Sequence, residues 1–143
     1  MNCRACFGVA FVVIIQFSTF VNARAAEPPT EAEIEKQIIG SWYYEWPEFQ
    51  GYVTKITITF NGDGTFRREK FFTNTPPGKA RVIELGNWKL DGAELTEENE
   101  RSIPPGVPEG SNHKFKVLAI DDKQLKLSLY GMTEETRTRV AGK

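Results

Sequence analysis

The chain has 143 residues, 18 basic and 19 acidic, for a net charge of −1. That length is one domain, and a charge so near balance argues against a nucleic-acid surface and against electrostatic recruitment to a membrane. Its only cysteines are Cys3 and Cys6, both inside the segment read below as a signal, so no disulfide framework is expected.

The first segment reads as a secretory signal. Arg4 supplies a positive charge, Phe7 to Ile15 is an apolar run, and Ala23-Arg24-Ala25 offers small residues where a signal peptidase cuts. A membrane span needs about 20 apolar residues. This run is shorter, and Pro28-Pro29 follow closely, so the competing reading of an uncleaved anchor fits less well. Cleavage after Ala25, or after Ala23, is expected. The expectation is therefore a signal peptide over 1–25, one domain over 26–143, and a secreted or periplasmic protein without stable membrane insertion. Losing Arg4 and Arg24 leaves 16 basic against 19 acidic residues, a charge of −3.

Thr30 with Glu33 forms a capping-box pattern. It opens a short helix carrying Ile34 and Ile38 on one face and ending at Gly40. From there the periodicity is two. Eight strands are expected near Ser41–Trp46, Tyr52–Phe60, Thr65–Phe72, Arg81–Leu90, Ala93–Glu97, His113–Ile120, Gln124–Tyr130 and Glu134–Val140. Asn61–Gly64, Asp91-Gly92 and Asp121–Lys123 are tight hairpin turns. The alternate connections, Pro47–Gly51, Thr73–Ala80 and Glu98–Asn112, are longer; Gly131–Thr133 is the short exception. In an up-and-down meander alternate turns share an end, so one end is closed and the other forms a mouth. The fold class is all-β: an eight-stranded antiparallel up-and-down barrel preceded by a short helix. Its interior is just wide enough to fill with side chains or to hold one small ligand. A two-sheet sandwich is the rival, less suited to this alternation of loop lengths.

Gly40-Ser41-Trp42 at the start of the first strand resembles the Gly-x-Trp of lipocalins. "TFNGDGTF" followed by "GNWKLDGAELT" is similar to the bacterial lipocalin-like domains. The resemblance covers most of Ile38 to Val140, without a disulfide or a helix after the last strand. It implies that Trp42 sits at the closed end with a late-strand arginine, Arg137 or Arg139, packed across it.

If Trp42 faces inward, so do Tyr44 and Trp46. The matching inward sets are Phe60, Ile58 and Ile56; Phe66, Arg68, Lys70 and Phe72; Leu90, Trp88, Gly86 and Glu84; and Leu125, Leu127 and Leu129. The lower half, with Trp42, Phe60, Phe66 and Trp88, reads as plain core. The upper half has two readings. In one, Tyr44, Trp46, Ile56, Arg68, Lys70 and Glu84 line a mouth where two bases and one acid leave a positive charge for an amphipathic anion. In the other the mouth is filled: either Arg68 pairs with Glu84 while Lys70 reaches solvent, or a bulge at Gly86 turns Ile83 and Leu85 inward instead.

His113 is the only histidine, so no metal site is expected. Glu97-Glu98-Asn99-Glu100 reads as a solvated strand end. No cofactor is called for, and no nucleophile–base pair stands out for an enzyme. The first functional expectation is an exported barrel binding a small hydrophobic or amphipathic ligand. The alternative is a protein-interaction module with a filled barrel, a homodimer through an outer wall of Phe71, Ile83 and Leu85 being one form of it.

Overall fold

The computed structural model describes residues 29–49, 52–73, 81–105 and 110–141. The signal-peptide reading lies outside them. A short helix, α1 (Glu31–Ile38), precedes β1 (Gly40–Phe49), β2 (Tyr52–Phe60), β3 (Thr65–Phe72), β4 (Arg81–Asp91), β5 (Glu94–Ile103), β6 (Asn112–Ile120), β7 (Gln124–Leu129) and β8 (Thr133–Arg139). Every strand pairs antiparallel with its neighbour in sequence, and β8 returns to β1 through Trp42–Arg139 and Tyr43–Thr138, closing a barrel. Closure gives every strand a neighbour on both sides, although the β1–β8 ladder is only two residue pairs long.

Local chemistry fixes one end of this barrel. The Thr30 hydroxyl caps α1, and the Glu33 carboxylate accepts from the Thr30 backbone N–H at 2.9 Å. In the β2–β3 turn, Asp63 Oδ1 accepts from the Thr65 N–H at 2.9 Å, and Gly64 takes a φ of 82° that a side chain would resist. In the β6–β7 turn, Asp121 Oδ1 accepts from the N–H groups of Lys123 and Gln124, each at 2.7 Å. Glu31 of α1 accepts from the Gly92 N–H at 2.8 Å, which ties the helix to the β4–β5 turn. With Ile34 and Ile38 fully buried, α1 plugs the tight-turn end.

Two strands run longer than the sequence suggests. β1 continues to Phe49 and β5 to Ile103, so the expected loops Pro47–Gly51 and Glu98–Asn112 are largely strand at their N-terminal sides. β5 was legible only to Glu97 because its next inward position is polar as well. The bulge foreseen at Gly86 falls on the partner strand instead: Gly86 pairs with Asn99 and Leu85 with Arg101, leaving Glu100 as the extra residue. Glu84 therefore stays inside, buried, while Ile83 and Leu85 remain on the outer face. Gly86 has no room for a side chain, since a Cβ there would lie 2.0 Å from the Glu98 carbonyl oxygen and 2.8 Å from the Phe66 ring. A second bulge, at Leu118 between Val117 and Ala119, lets Ile120 join the core.

Candidate functional site

The floor is aromatic and dry. Trp42, Phe60 and Phe66 are buried, and Trp88 packs against them from a partly exposed position. Phe60 meets Phe66 edge-on at 6.5 Å and Trp88 at 5.7 Å between ring centroids. The Trp42 indole N–H donates to the Ile38 carbonyl at 2.8 Å, joining the barrel floor to the end of α1. The arginine across Trp42 is Arg139, whose guanidinium carbon lies 4.1 Å from the ring centroid. It donates to the Ile39 carbonyl at 3.0 Å and to that of Gln37, so one cation covers the indole and the helix C-terminus together.

Arg137 does not belong to the floor. It is fully buried higher in the barrel, 4.6 Å from the Tyr44 ring and 4.9 Å from that of Phe115. Its Nη1 donates to Glu97 at 2.7 Å and its Nε to Glu135 at 2.5 Å. Arg68 Nη1 donates to Glu84 at 2.8 Å, and its Nη2 bonds the other oxygen of Glu97. Lys70 pairs with Glu84 at 2.5 Å and lies 5.8 Å from the Trp46 ring, and the Trp46 indole donates to Glu135 at 3.1 Å. Lys70, Glu84, Arg68, Glu97, Arg137 and Glu135 thus alternate in sign, and Trp46 joins the two ends into a belt.

This belt corrects the charge count expected of the mouth. Three bases meet three carboxylates, so no positive charge is left over for an anion. Arg68 pairs with Glu84, as the second reading foresaw, but with Glu97 too. Lys70 stays with Glu84 rather than reaching solvent alone. Glu97 is not a solvated strand end; it is buried between two arginines. Burial raises its pKa, but Arg137 and Arg68 outweigh burial and hold it below the usual carboxylate range. For both arginines burial opposes the charge, and the carboxylates overcome it, so their pKa values rise. Tyr44 is buried among these charges and pushed up to about 12, chiefly by burial.

Of the residues expected at the mouth, Tyr44, Arg68 and Glu84 are buried in or against the belt, and Ile56 is buried in the core cluster. Lys70 sits partly exposed at the belt's edge, and Trp46 is 40% exposed. Sequence reasoning missed Glu97, Asn99, His113, Phe115 and Glu135. A signal was present: Leu95, Glu97 and Asn99 share one face of a strand, as do Glu135, Arg137 and Arg139. His113 pairs across the sheet with Glu97. Its pKa is lowered, first by burial, then by Arg68 and Lys70 against the pull of Glu97 and Glu84. Among the described residues no three His, Asp or Glu side chains are arranged to hold a metal ion.

The sequence matches no protein-family model and no curated protein. A solved structure of a lipocalin-like protein from Bacteroides uniformis is similar to it, at 21% identity and a TM-score of 0.51, covering 73% of this chain and 99% of that chain. At that identity the likeness is one of fold: this chain is a lipocalin-like, eight-stranded up-and-down barrel.

Proposed function

We propose that the chain is an exported binding protein that takes a small amphipathic ligand at the open end of its barrel, above the charged belt. The observation that carries this reading is the belt itself. Buried ion pairs are a poor stability device, because well-packed apolar residues of similar volume often stabilise as much or more. The floor of this barrel is mainly apolar, whereas the mouth half sets six charged side chains among its apolar ones. A polar interior that ends in a half-exposed indole suits a ligand with a hydrogen-bonding head and an apolar tail. The tail would lie against Trp46 and the upper barrel wall. Export rests on the signal pattern in residues 1–25, and N-terminal sequencing of secreted protein should find Ala26 first, or Arg24.

Titration with the neutral apolar fluorophore N-phenyl-1-naphthylamine tests the cup. Saturable binding by the wild type is expected, weakened by Trp46→Ala and unchanged by Lys126→Ala on the outer face. Absence of saturable binding by the wild type would contradict the reading.

One observation favours a second reading. Phe71 is 52% and Ile103 43% exposed, and Ile103 pairs across the sheet with outward-facing Ile83. Leu85 continues this apolar strip on the outer wall. An interaction module would use it, and sedimentation of wild type against Phe71→Ser would show a dimer lost in the variant.

A further inference from the structure

Several buried polar atoms on the mouth side of the floor lack hydrogen-bond partners among the described residues, as does Gln37 Oε1 of α1 at the closed end. Asn99 is 2% exposed, and its Nδ2 and Oδ1 both lack a hydrogen-bond partner among the described residues. Arg68 Nε, Arg137 Nη2 and Ser111 Oγ are buried and likewise unpartnered, while Glu84 Oε1, which makes no hydrogen bond either, lies 2.5 Å from the Lys70 ammonium. Burying such atoms unbonded is costly, and native proteins rarely leave them so. Asn99 follows Glu97 on the inward face of β5, and its backbone N–H donates to the Ser111 carbonyl at 2.8 Å. That bond holds β5 against the approach to β6 and brings Ser111 beside Asn99.

The inventory has a chemical meaning. Arg68 Nε, Arg137 Nη2 and Asn99 Nδ2 can only donate, Asn99 Oδ1 can only accept, and the Ser111 hydroxyl can do either. The charges around them cancel: Arg68, Lys70 and Arg137 face Glu84, Glu97 and Glu135. An anionic head would add an uncompensated charge to this interior, and a cationic head would meet three unfilled donors. An uncharged group with an acceptor oxygen and an N–H beside it answers both kinds of atom, and the free amide edge of Asn99 can take it through two bonds.

We propose that Asn99 is the specificity-determining residue of the mouth, and that the ligand class is an amphiphile with an uncharged carboxamide-type head. This rests on the ligand-cup reading above and sharpens it from any amphipathic molecule to a neutral one. The head bonds Asn99 and takes the spare Arg68 or Arg137 N–H, and the chain of the ligand leaves toward Trp46. The same residue costs stability, since its amide is buried without hydrogen-bond partners among the described residues.

The test compares decanamide with decanoate, two ligands of equal chain length, by displacement of N-phenyl-1-naphthylamine from the wild type and from Asn99→Leu. The wild type is expected to prefer decanamide by about tenfold, the worth of one to two neutral hydrogen bonds. Asn99→Leu should lose that preference while its urea midpoint stays the same or rises, a combination that a merely structural asparagine would not give. Equal or tighter binding of decanoate by the wild type, or an unchanged preference in Asn99→Leu, would overturn the head assignment and leave the cup standing. If the fluorophore binds but neither ligand displaces it, the carboxamide class is wrong. If the fluorophore itself does not bind, the cup falls and the assignment with it.

Discussion

The floor and the mouth half of this barrel are built from the same strands by different physics. At the floor, Trp42, Phe60, Phe66, Ile34 and Ile38 exclude water by shape and apolar area. One turn of the barrel higher, Arg68, Glu84, Glu97 and Arg137 are as deeply buried, yet each is held by a specific partner. Apolar packing tolerates exchange of one hydrocarbon for another of like volume. A charge belt tolerates the loss of a deep member poorly, because each neighbour is left buried and short of one counter-ion. The difference separates a half whose stability rests on apolar area from a half whose stability rests on partner-specific pairing.

The largest effects should be equal in size and different in kind. Trp42→Ala is expected to cost about 3–5 kcal/mol by opening a cavity. Glu97→Gln is expected to cost a similar 3–5 kcal/mol by leaving Arg68 and Arg137 without their shared carboxylate. Acid separates the two. The folded pKa of Glu97 lies below its ordinary value of 4.5, so its contribution is complete above about 4.5 and is lost as pH falls through the depressed folded value. Urea midpoints measured from pH 7 to pH 3 should therefore fall less steeply in Glu97→Gln, whereas Trp42→Ala should keep the wild-type slope. Parallel curves for all three proteins would place Glu97 outside the belt.

Arg68→Ala belongs with Glu97→Gln, since it leaves Glu84 with Lys70 alone and Glu97 with Arg137 alone. A loss of about 3–5 kcal/mol is expected, larger than a mouth position open to solvent would give. Arg139→Ala is the next step down. It removes a charged donor from two carbonyls and a cation from the Trp42 ring, at about 1.5–3 kcal/mol in denaturant midpoint. A loss equal to that of Trp42→Ala would make Arg139, not the indole, the anchor of the closed end.

The smallest effect concerns His113. Burial and the nearby Arg68 and Lys70 lower its pKa from 6.5, so the folded state favours the neutral ring and stability declines as pH drops below about 6.5. Glu97 and Glu84 face it too and oppose that shift without cancelling it. His113→Gln should flatten the stability curve between pH 6.5 and the onset of the carboxylate limb, and leave the limb below it unchanged.

The floor was legible because hydrophobic alternation reports apolar burial directly: Ile56, Ile58 and Phe60 on β2, and Leu125 and Leu127 on β7, all fall inside as their period requires. The tight turns announced the closed end for a similar reason, since Asn61–Gly64 and Asp121–Lys123 satisfy their backbone locally. The belt was half legible. Arg68 and Glu84 were placed by counting from Trp42, but Glu97 and Glu135 were not, because a carboxylate on a polar strand looks solvated until its partner is known. Glu97 lies 29 residues from Arg68 and 40 from Arg137, and only barrel closure brings the three together. The bulge at Glu100 was not placed for a related reason: it lies where Gly86 runs close to Phe66 and the Glu98 carbonyl, a meeting of three strands.

The three tryptophans offer the most direct test, because each reports from a different place. The Trp42 indole is bonded to the Ile38 carbonyl in the floor, Trp88 to the Asn61 carbonyl by the closed-end turn, and Trp46 to Glu135 at the mouth. In nitrogen-15-labelled protein titrated with decanamide, only the Trp46 indole N–H resonance should move, saturating at one ligand per chain. Movement of the Trp42 resonance with Trp46 unchanged would put the ligand in the floor and contradict the account.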